Sequence, residues 1–408
     1  MSNERVKRGL LAVLPDGWSA ERLGHIGLFL RSGGGSKQDE VDDGLPCVRY
    51  GDLYTHHDCR ITDTRSRIRP DRVNSYTPLR YGDILFASSG ENVDDIGRSA
   101  VNLMRGRAYC GGDVIILRPA IEINASFLGH VADCASSRIQ KSRLGRGSTV
   151  IHIYDEELRD LVIPVPPLDE QQRIADILDT IDESIQASER VISKHEQVLE
   201  GILQRASLGR PDSKLSTLAL ADFCALSAGR TAPRSVPEYY GGGIPWIKSG
   251  EVAGSSVLTT EETVSAKAVQ DLQLRIVPSG TPVVAMYGAT AGEVGWLEID
   301  AATNQAVLAV EPEHDRANRR WLYWALRIGS RRMLASVQGS GQPNLSKQII
   351  GATKISLPDL EMQLAEVARI DSAHASIEAH RATAKKLRGI RTGLVGDLLS
   401  GRIRTVAA

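Results

Sequence analysis

Two polar segments of this chain carry side chains suited to contact with a polyanion. The segment GSGQPNLSKQ, at 339–348, offers glutamine, asparagine, serine and lysine, and the segment GRGSTVIHIY, at 145–154, offers Arg146, Ser148 and Thr149. Amide side chains can make paired hydrogen bonds to adenine, arginine suits guanine, and serine or lysine suits phosphate. The two segments therefore predict contact with nucleic acid. The alternative is a pair of polar surface loops. For Asn344 and Ser346 themselves the favoured role is that of a helix cap, with contact to DNA made by the rest of the loop.

Basic residues are clustered although the formal net charge is only −1. Six arginines and no acid lie between Arg316 and Leu334, five arginines and two aspartates between Arg60 and Arg72, and four basic residues and one aspartate between Val131 and Val150. Such clusters can be solvated surfaces, but their occurrence in both halves favours a polyanionic partner. The candidate DNA-binding residues are Arg49, Arg65, Arg67, Ser88, Asn92, Lys141, Arg143, Arg146, Ser148, Thr149, Lys248, Tyr287, Thr290, Arg331, Arg332, Gln338, Ser340, Gln342 and Lys347.

The sequence has no recognisable catalytic motif. It lacks a Walker loop, HExxH, GxSxG, a dinucleotide-binding GxGxxG and the Asp-Pro-Pro-Tyr type of motif found in enzymes that methylate a base amine. The run His56-His57-Asp58-Cys59 could begin a metal site, but no second set of ligands with suitable spacing follows it nearby. We therefore expect no catalytic residue, no bound metal and no cofactor in this chain.

The composition is that of an ordinary globular protein, with 42% apolar and 24% charged residues among 408. The five cysteines form no CxxC pair, as expected in a reducing compartment. The apolar run at 10–14 is too short for a signal peptide, and no apolar stretch reaches 18 residues. The expected location is the cytoplasm.

The chain contains a long internal repeat. LPCVRYGDL at 45–53 reappears as IPWIKSGEV at 244–252, and YGDILFASSG at 81–90 corresponds to PSGTPVVAMYG at 278–288. PPLDEQ at 166–171 and PDLEMQ at 358–363 each open a long helical stretch, and the two stretches end at Leu208-Gly209-Arg210 and Ser400-Gly401-Arg402. A repeat of this length predicts one module and one long helix, used twice. Arg49 and Lys248 match between the copies, which favours a role in the scaffold over base recognition.

Each module has the pattern of a mixed domain with several short strands. Strands are predicted at 83–86 and 114–117, with counterparts at 281–286 and 306–310. A helix is predicted over Arg319–Leu334, and its counterpart over Ser126–Ile139.

The two long helical stretches carry matched heptad patterns. From Ile174 a 4-3-4-3 spacing of mostly apolar residues continues to Ala206, and a weaker copy runs from Ile370 to Leu398 with Arg391 within it. The short linker at 208–215 favours an antiparallel pair, and about 38 residues would span roughly 57 Å. The predicted helix-pairing residues are Ile174, Leu178, Ile181, Ile185, Ile192, Leu199, Ile202, Ile370, Ile377, Leu387, Leu394 and Leu398.

The predicted fold is α+β (mixed), with two similar modules separated by two long antiparallel coiled-coil helices in a pseudo-twofold repeat. The expected boundaries are 1–165 for the first recognition domain, 166–208 for the first helix, 209–357 for the second domain, and 358–408 for the second helix and tail.

The order of these segments resembles the specificity subunit of type I restriction-modification systems. The resemblance covers nearly the whole chain and includes LPDGW, PPLDEQQRIADILDTIDESI, the GSGQPNLSK loop, PDLEMQLAEVARIDSAHASI and the closing LLSGRI. It implies two target-recognition domains, each binding one half of an asymmetric, interrupted double-stranded DNA site.

The resemblance also implies partners. The helices would set the half-site spacing and dock two modification (methyltransferase) subunits, and restriction (motor-nuclease) subunits would join them. S-adenosylmethionine, ATP and Mg are then expected on the partners and not on this chain. The alternative is a pseudo-symmetric coiled-coil scaffold that joins two protein-binding modules and has no contact with DNA.

Overall fold

The structure is a computed structural model that describes residues 14–147, 149–208, 216–252, 256–335 and 344–405. It divides into two compact units, the first formed by Met1–Ser188 with Ala382–Ala408 and the second by Glu189–Arg381. Both divisions fall inside long helices, Leu168–Leu208 and Leu360–Leu399. Each unit therefore consists of a mixed module and a part of each long helix. None of the described helices is both long and apolar enough to cross a membrane.

The first unit contains a five-stranded sheet, a four-stranded sheet and two separate strand pairs. Its strands are β1 Ser19–Arg22, β2 Gly27–Arg31, β3 Glu40–Arg49, β4 Arg60–Ile61, β5 Arg67–Ile68, β6 Thr77–Pro78, β7 Ile84–Ala87, β8 Ser89–Gly90, β9 Ser99–Asn102, β10 Tyr109–Gly111, β11 Val114–Pro119, β12 Ile151–His152 and β13 Val162–Val165. The sheet orders are β2-β11-β7-β9-β4 and β5-β3-β10-β6, and the pairs are β1-β13 and β12-β8. Its shorter α-helices are Leu23–Ile26, Tyr50–Thr55, Ala125–Asp133, Ala135–Ser142 and Asp155–Arg159, and its 3-10 turns are Lys37–Asp39, Pro70–Ser75 and Val93–Asp95.

The second unit repeats the two larger sheets. Its strands are β14 Ser216–Ala219, β15 Cys224–Ala228, β16 Tyr240–Ile247, β17 Ser256–Val257, β18 Thr263–Val264, β19 Ile276–Val277, β20 Pro282–Ala285, β21 Val294–Leu297, β22 Ala301–Thr303, β23 Val307–Pro312 and β24 Lys354–Leu357. The sheet orders are β15-β23-β20-β21-β17 and β18-β16-β22-β19, and β14 pairs with β24. Its shorter α-helices are Ala266–Asp271, Arg319–Ala335 and Lys347–Ala352, and its 3-10 turns are Leu220–Asp222, Pro237–Tyr239 and Ser249–Glu251.

The two units have the same strand connectivity, including the same irregularities of strand register. The parallel pairings of β3 with β10 and β4 with β9 have counterparts in β16 with β22 and β17 with β21. The register of β3 against β5 shifts between Glu40 and Leu45, and that of β16 against β18 shifts between Tyr240 and Ile244. Gly82 and Gly280, just before β7 and β20, both have positive φ, +86° and +77°, a conformation that glycine adopts without strain. The sequence repeat is therefore a repeat of topology.

The central strands are apolar on both faces because each lies between two cores. In β7, Ile84 and Phe86 join one buried cluster while Leu85 and Ala87 join another. In β20, Val284 faces one cluster, and Val283 and Ala285 the other. Side chains alternate across a strand, so a continuous apolar run is needed to fill both cores. The strands predicted at 83–86, 114–117, 281–286 and 306–310 are confirmed, as is the helix beginning at Arg319.

The single helix predicted over Ser126–Ile139 is wrong, because the chain forms two helices there. Cys134 separates them with an extended backbone, φ −67° and ψ 165°. Side chains from elsewhere bond the last carbonyls of the first helix: Ser137 donates to Val131, and Ser99 and Lys141 both donate to Ala132. These contacts satisfy groups that a continued helix would have used.

A buried glutamine fixes the start of each long helix to its own module. Gln171 Nε2 donates to the carbonyl of Pro166 at 2.8 Å, and its Oε1 accepts the backbone N–H of Asn124 at 2.9 Å. Gln363 makes the same pair of bonds to Pro358, at 2.8 Å, and Asn318, at 2.7 Å. The matching glutamines of PPLDEQ and PDLEMQ thus have a shared structural role.

Within each unit the two long helices run antiparallel. In the first unit Glu170 pairs with Arg404 and Asp182 with Arg391, so partner numbers fall as the first helix advances. In the second, Glu196 pairs with Arg381, and Leu199 lies in a cluster with Ile370. The predicted helix-pairing residues occupy the less exposed face: Ile174, Leu178, Ile185, Ile370, Ile377 and Leu398 are buried, and Ile181, Ile192, Leu199, Ile202, Leu387 and Leu394 are half-buried.

Candidate nucleic-acid interface

In the first unit, strand β12 of the polar segment 145–154 pairs with the short strand β8, which follows β7. Ser89 pairs with His152 and Gly90 with Ile151, and the backbone N–H of Ile153 donates to the carbonyl of Ser88 at 3.0 Å. Arg146 closes the segment on itself through two backbone hydrogen bonds with His152, at 2.9 and 2.7 Å. Ser88 and Arg146, predicted separately, therefore belong to one surface. Thr149 is exposed beside them, and Ser148 lies outside the described residues.

This surface includes two aromatic residues that the sequence did not indicate. His152 and Tyr154 stack with ring centroids 6.5 Å apart, and Tyr154 is 45% exposed. His152 Nδ1 lies 3.1 Å from Ser89 Oγ, and Tyr54 donates to the Ser89 carbonyl at 3.1 Å. Ile151 and Ile153 are buried between them. The period-two alternation of Ile151 to Tyr154 was a signal that could have identified the outward-facing pair.

The exposed Arg146 of this surface already has a carboxylate neighbour. Arg146, with 75% of its side chain exposed, lies 2.7 Å from Glu157. An exposed ion pair contributes only about 0–1 kcal/mol, so exchanging Glu157 for a phosphate would cost little.

Asn92 is exposed, but its side chain caps a turn by accepting the N–H of Asp94 at 3.0 Å.

The matched pair Arg49 and Lys248 contact their own modules. Arg49 donates to the carbonyl of Ser36 at 2.5 Å and lies 3.4 Å from Glu40. Lys248 lies 2.9 Å from Glu261 and 3.1 Å from Glu262. These neighbours raise the pKa of Lys248, because its ammonium donates to both carboxylates. Both residues thus contribute to the scaffold, whatever else they contact.

The remaining basic residues of the first unit differ in accessibility. Arg65 is exposed and contacts His56 Nε2, and Arg143 is exposed at the end of its helix. Arg67 is half-buried and donates to the carbonyl of Gly44 at 3.2 Å.

Lys141 is the residue whose prediction the structure contradicts. Its side chain is fully buried, and its ammonium donates to the carbonyls of Gly97, at 2.6 Å, and Ala132, at 3.0 Å, and to Ser99. Burial lowers its pKa, although Asp133, 3.4 Å away, opposes this. A lysine with all of these internal partners is unavailable to a phosphate.

In the second unit the equivalent strand edge carries Tyr287 and Thr290. Tyr287 is 37% exposed, and Thr290 donates to the carbonyl of Ser249 at 2.8 Å. The N–H of Leu345 donates to the Met286 carbonyl at 2.9 Å, as Ile153 does to Ser88. The two polar segments therefore contact equivalent strands.

The other candidates of the second unit are only partly described. Gln338, Ser340 and Gln342 lie outside the described residues, and Arg331 and Arg332 lie in a helix of which only the backbone is described there. Lys347 is exposed at a helix start, where Ser346 caps the helix by accepting the N–H of Ile349 at 3.2 Å. Ser346 is thus a helix cap, which confirms the role predicted for it.

The fold and these surfaces define a class: a protein with two copies of one mixed module, each fixed to a pair of long antiparallel helices. The family model described as the Type I restriction modification DNA specificity domain matches residues 36–196 and 213–388. The chain belongs to this family and contains two such domains.

The chain is similar to several proteins at low sequence identity. The chain is 22% identical over 428 residues to a putative type I restriction enzyme MjaX specificity subunit of Methanocaldococcus jannaschii, covering 98% of this chain and 97% of that protein. It is 24% identical over 209 residues to the EcoKI specificity subunit of Escherichia coli, covering 50% and 44%. The crystal structure of a type I S subunit from M. genitalium superposes with a TM-score of 0.65 at 16% identity, covering 94% and 96%.

Proposed function

We propose that this chain is the DNA-recognition subunit of a type I restriction-modification complex. The observation that carries the proposal is the repetition of one topology with divergent polar segments at equivalent positions. Ile153 donates to Ser88, just after β7, and Leu345 donates to Met286, just after β20. Two copies of a module with different surface residues would recognise the two different halves of one double-stranded DNA site.

Each recognition domain would combine phosphate contacts with a few base contacts. In the first, Arg146, Thr149 and Arg143 are exposed and would reach DNA, Arg146 by exchanging Glu157 for a phosphate, and Tyr154 adds an exposed aromatic face. In the second, Tyr287 and Lys347 are the corresponding exposed candidates. Phosphate contacts carry affinity and salt dependence, and contacts with base edges carry specificity.

The domain boundaries fit the same proposal, with 1–165 and 209–357 as recognition domains, 166–208 as the first spacer helix, and 358–408 as the second spacer helix and tail. The helices would set the half-site spacing and dock two methyltransferase subunits, which restriction subunits would join. The chain itself would be non-catalytic, and its partners would hold S-adenosylmethionine, ATP and Mg.

The sharpest test compares two equally exposed arginines. Arg146 and Arg402 have 75% and 70% of their side chains exposed, and each lies 2.7 Å from one carboxylate. In complex with the methyltransferase subunits, Arg146→Ala should weaken DNA binding and reduce the slope of log affinity against log salt by about 1. Arg402→Ala, in the tail, should change neither quantity. Fluorescence anisotropy over a salt series measures both, and equal effects of the two variants would refute this interface.

A second test concerns spacing. Deleting four residues, about one turn, from one long helix should alter the half-site spacing that is methylated and leave both half-site sequences unchanged. Sequencing of the methylated positions checks this. If the scaffold alternative holds, purified complex will show no sequence-selective binding of any duplex.

A further inference from the structure

A group of metal-binding side chain types lies in the first unit, away from the candidate DNA interface. Cys59, His130 and Asp182 each place one donor atom within 4.8 Å of the others. They come from three distant segments: the start of β4, the helix Ala125–Asp133 and the first long helix. Cys59 is the last residue of the His-His-Asp-Cys run, and tertiary contacts bring two further donor side chains to it.

We propose that Cys59, His130 and Asp182 form a binding site for a thiophilic divalent cation of the Zn²⁺ class. Thiolate, imidazole and carboxylate are donors that zinc uses together, at about 2.0–2.3 Å. Cys59 Sγ and His130 Nδ1 are 3.1 Å apart, and tetrahedral coordination would need roughly 3.5 Å between them. A small side-chain rotation provides this difference.

The imidazole is oriented as a metal ligand requires. His130 Nε2 lies 2.8 Å from Asp179 Oδ1, and because a carboxylate only accepts, the proton is on Nε2 and Nδ1 faces Cys59. Asp179 is itself fixed by Ser126 Oγ, 2.7 Å from both carboxylate oxygens, and by Arg60 at 2.6 Å. Carboxylate partners of this kind orient metal-bound histidines.

Gly129 lets the helix that carries His130 lie close to the backbone of Cys59. A Cβ at this position would lie 2.7 Å from the carbonyl oxygen of Cys59 and 2.5 Å from Val101. Only glycine lets the helix that carries His130 approach Cys59 so closely.

Arg391 competes with a metal ion for this site. Its Nη2 lies 3.4 Å from Cys59 Sγ and 3.1 Å from Asp182 Oδ2. Coordination requires Nδ1 of His130 without a proton and the sulfur of Cys59 as a thiolate, so a metal ion would displace the guanidinium and any protons on these two atoms, which would pass to solvent.

A metal ion would enter from the side of Arg391. Cys59 and His130 are 4% and 3% exposed, whereas the side chains of Asp182 and Arg391 are 12% and 28% exposed. Arg391, which donates to both carboxylate oxygens of Asp182, would have to move before a metal ion could bind.

The test is a Co²⁺ titration of the metal-stripped full-length chain, followed by thiolate-to-cobalt absorption in the near ultraviolet. One equivalent should produce the band, and Zn²⁺ should remove it. Cys59→Ser should abolish the band, and Asp179→Asn should weaken binding about 10-fold. Arg391→Met, which removes the competing cation, should bind more tightly than the natural chain.

The control is Cys224→Ser, another buried free cysteine, which should leave the titration unchanged. Far-ultraviolet circular dichroism establishes that each variant is folded. A natural chain without the band, or a band that survives Cys59→Ser, would overturn the proposal. If folding prevents a test of Cys59→Ser, Arg391→Met decides, and unchanged affinity in that variant counts against the site.

Discussion

The two units fix their modules to the long helices at equivalent positions with different chemistry. In the first unit Asp179 of the first long helix contacts Ser126, His130 and Arg60. In the second unit the corresponding Asp371 contacts Arg320 at 3.1 Å and Trp324 Nε1 at 2.8 Å. The first contact is a small polar network, and the second belongs to an aromatic group in which Arg320 lies 4.8 Å from the ring centroid of Trp296 and Trp324 lies 5.3 Å from that of His374.

The difference shows which features the repeat must keep. The buried glutamines and the aspartates recur in both copies because each bonds a long helix to its own module. Their partners can change if each buried polar group keeps a hydrogen bond. His130 has two ring nitrogens and can contact Cys59 as well as Asp179, whereas the indole of Trp324 has a single donor. The candidate metal site is therefore a property of the first unit.

The largest expected effect comes from truncating the aromatic contact. Trp324→Ala should destabilise the second unit by about 3–5 kcal/mol, because it leaves a large cavity. His130→Ala, at the equivalent contact, should cost the first unit about 1–3 kcal/mol, through loss of the hydrogen bond to the Asp179 carboxylate, which keeps Ser126 and Arg60 as partners. Urea unfolding followed by circular dichroism, with hydrogen exchange to localise the loss, measures both. Equal losses would contradict the distinction between the contacts.

The buried glutamines should behave alike in the two units. Gln171→Met and Gln363→Met should each cost about 1–3 kcal/mol, because each leaves a backbone N–H and a proline carbonyl without a partner. Gln172→Met is the matched control, since Gln172 is exposed and should lose under about 1 kcal/mol. Urea unfolding compares the three. A large loss of unfolding free energy in only one unit would mean that the same hydrogen-bond geometry contributes differently to the stability of the two units.

A pH-dependent contact should distinguish the units. Arg404 and Trp18 outweigh burial and lower the pKa of Glu170 below its usual 4.5, whereas the corresponding residue of the second helix is Met362. A lowered pKa gives stability that is present above pH 4.5 and lost as the pH falls through the folded value. Glu170→Gln should cost about 1–2 kcal/mol at pH 7, and the difference from the natural chain should shrink at acidic pH. Urea denaturation at several pH values measures the stability difference between Glu170→Gln and the natural chain. A difference that does not change with pH would contradict the prediction.

The smallest effect is expected at the matched glycines. Gly82→Ala and Gly280→Ala should each cost about 1 kcal/mol, because both need positive φ. Steric overlap is not the reason, since the nearest atom to an added Cβ would lie 3.7 Å away at Gly82 and 3.8 Å away at Gly280. Gly106→Ala, in open space and without positive φ, should be neutral. Thermal unfolding measures all three, and a loss confined to one of the matched positions would show that the turns differ.

The sequence predicted the structure best where that structure depends on residues that are neighbours along the chain. The runs at 83–86 and 281–286 are long enough to fill two cores, and the heptad positions from Ile174 onward lie on the less exposed helix face. It failed at Ser126–Ile139, where Ser99 and Lys141 end a helix from outside the local segment. It also failed at Lys141, whose burial depends on Gly97. The base-contacting residues stay a prediction.

The sequence by itself determined the repeat, the positions of the long helices and their antiparallel pairing, because periodicity and linker length are local properties. Tertiary structure decided which distant segments of the chain meet. It joined Ser88 to Ile153, enclosed Lys141, and brought Cys59 to His130 and Asp182. Such contacts join segments far apart in the chain, and only the packed fold sets the distances between them.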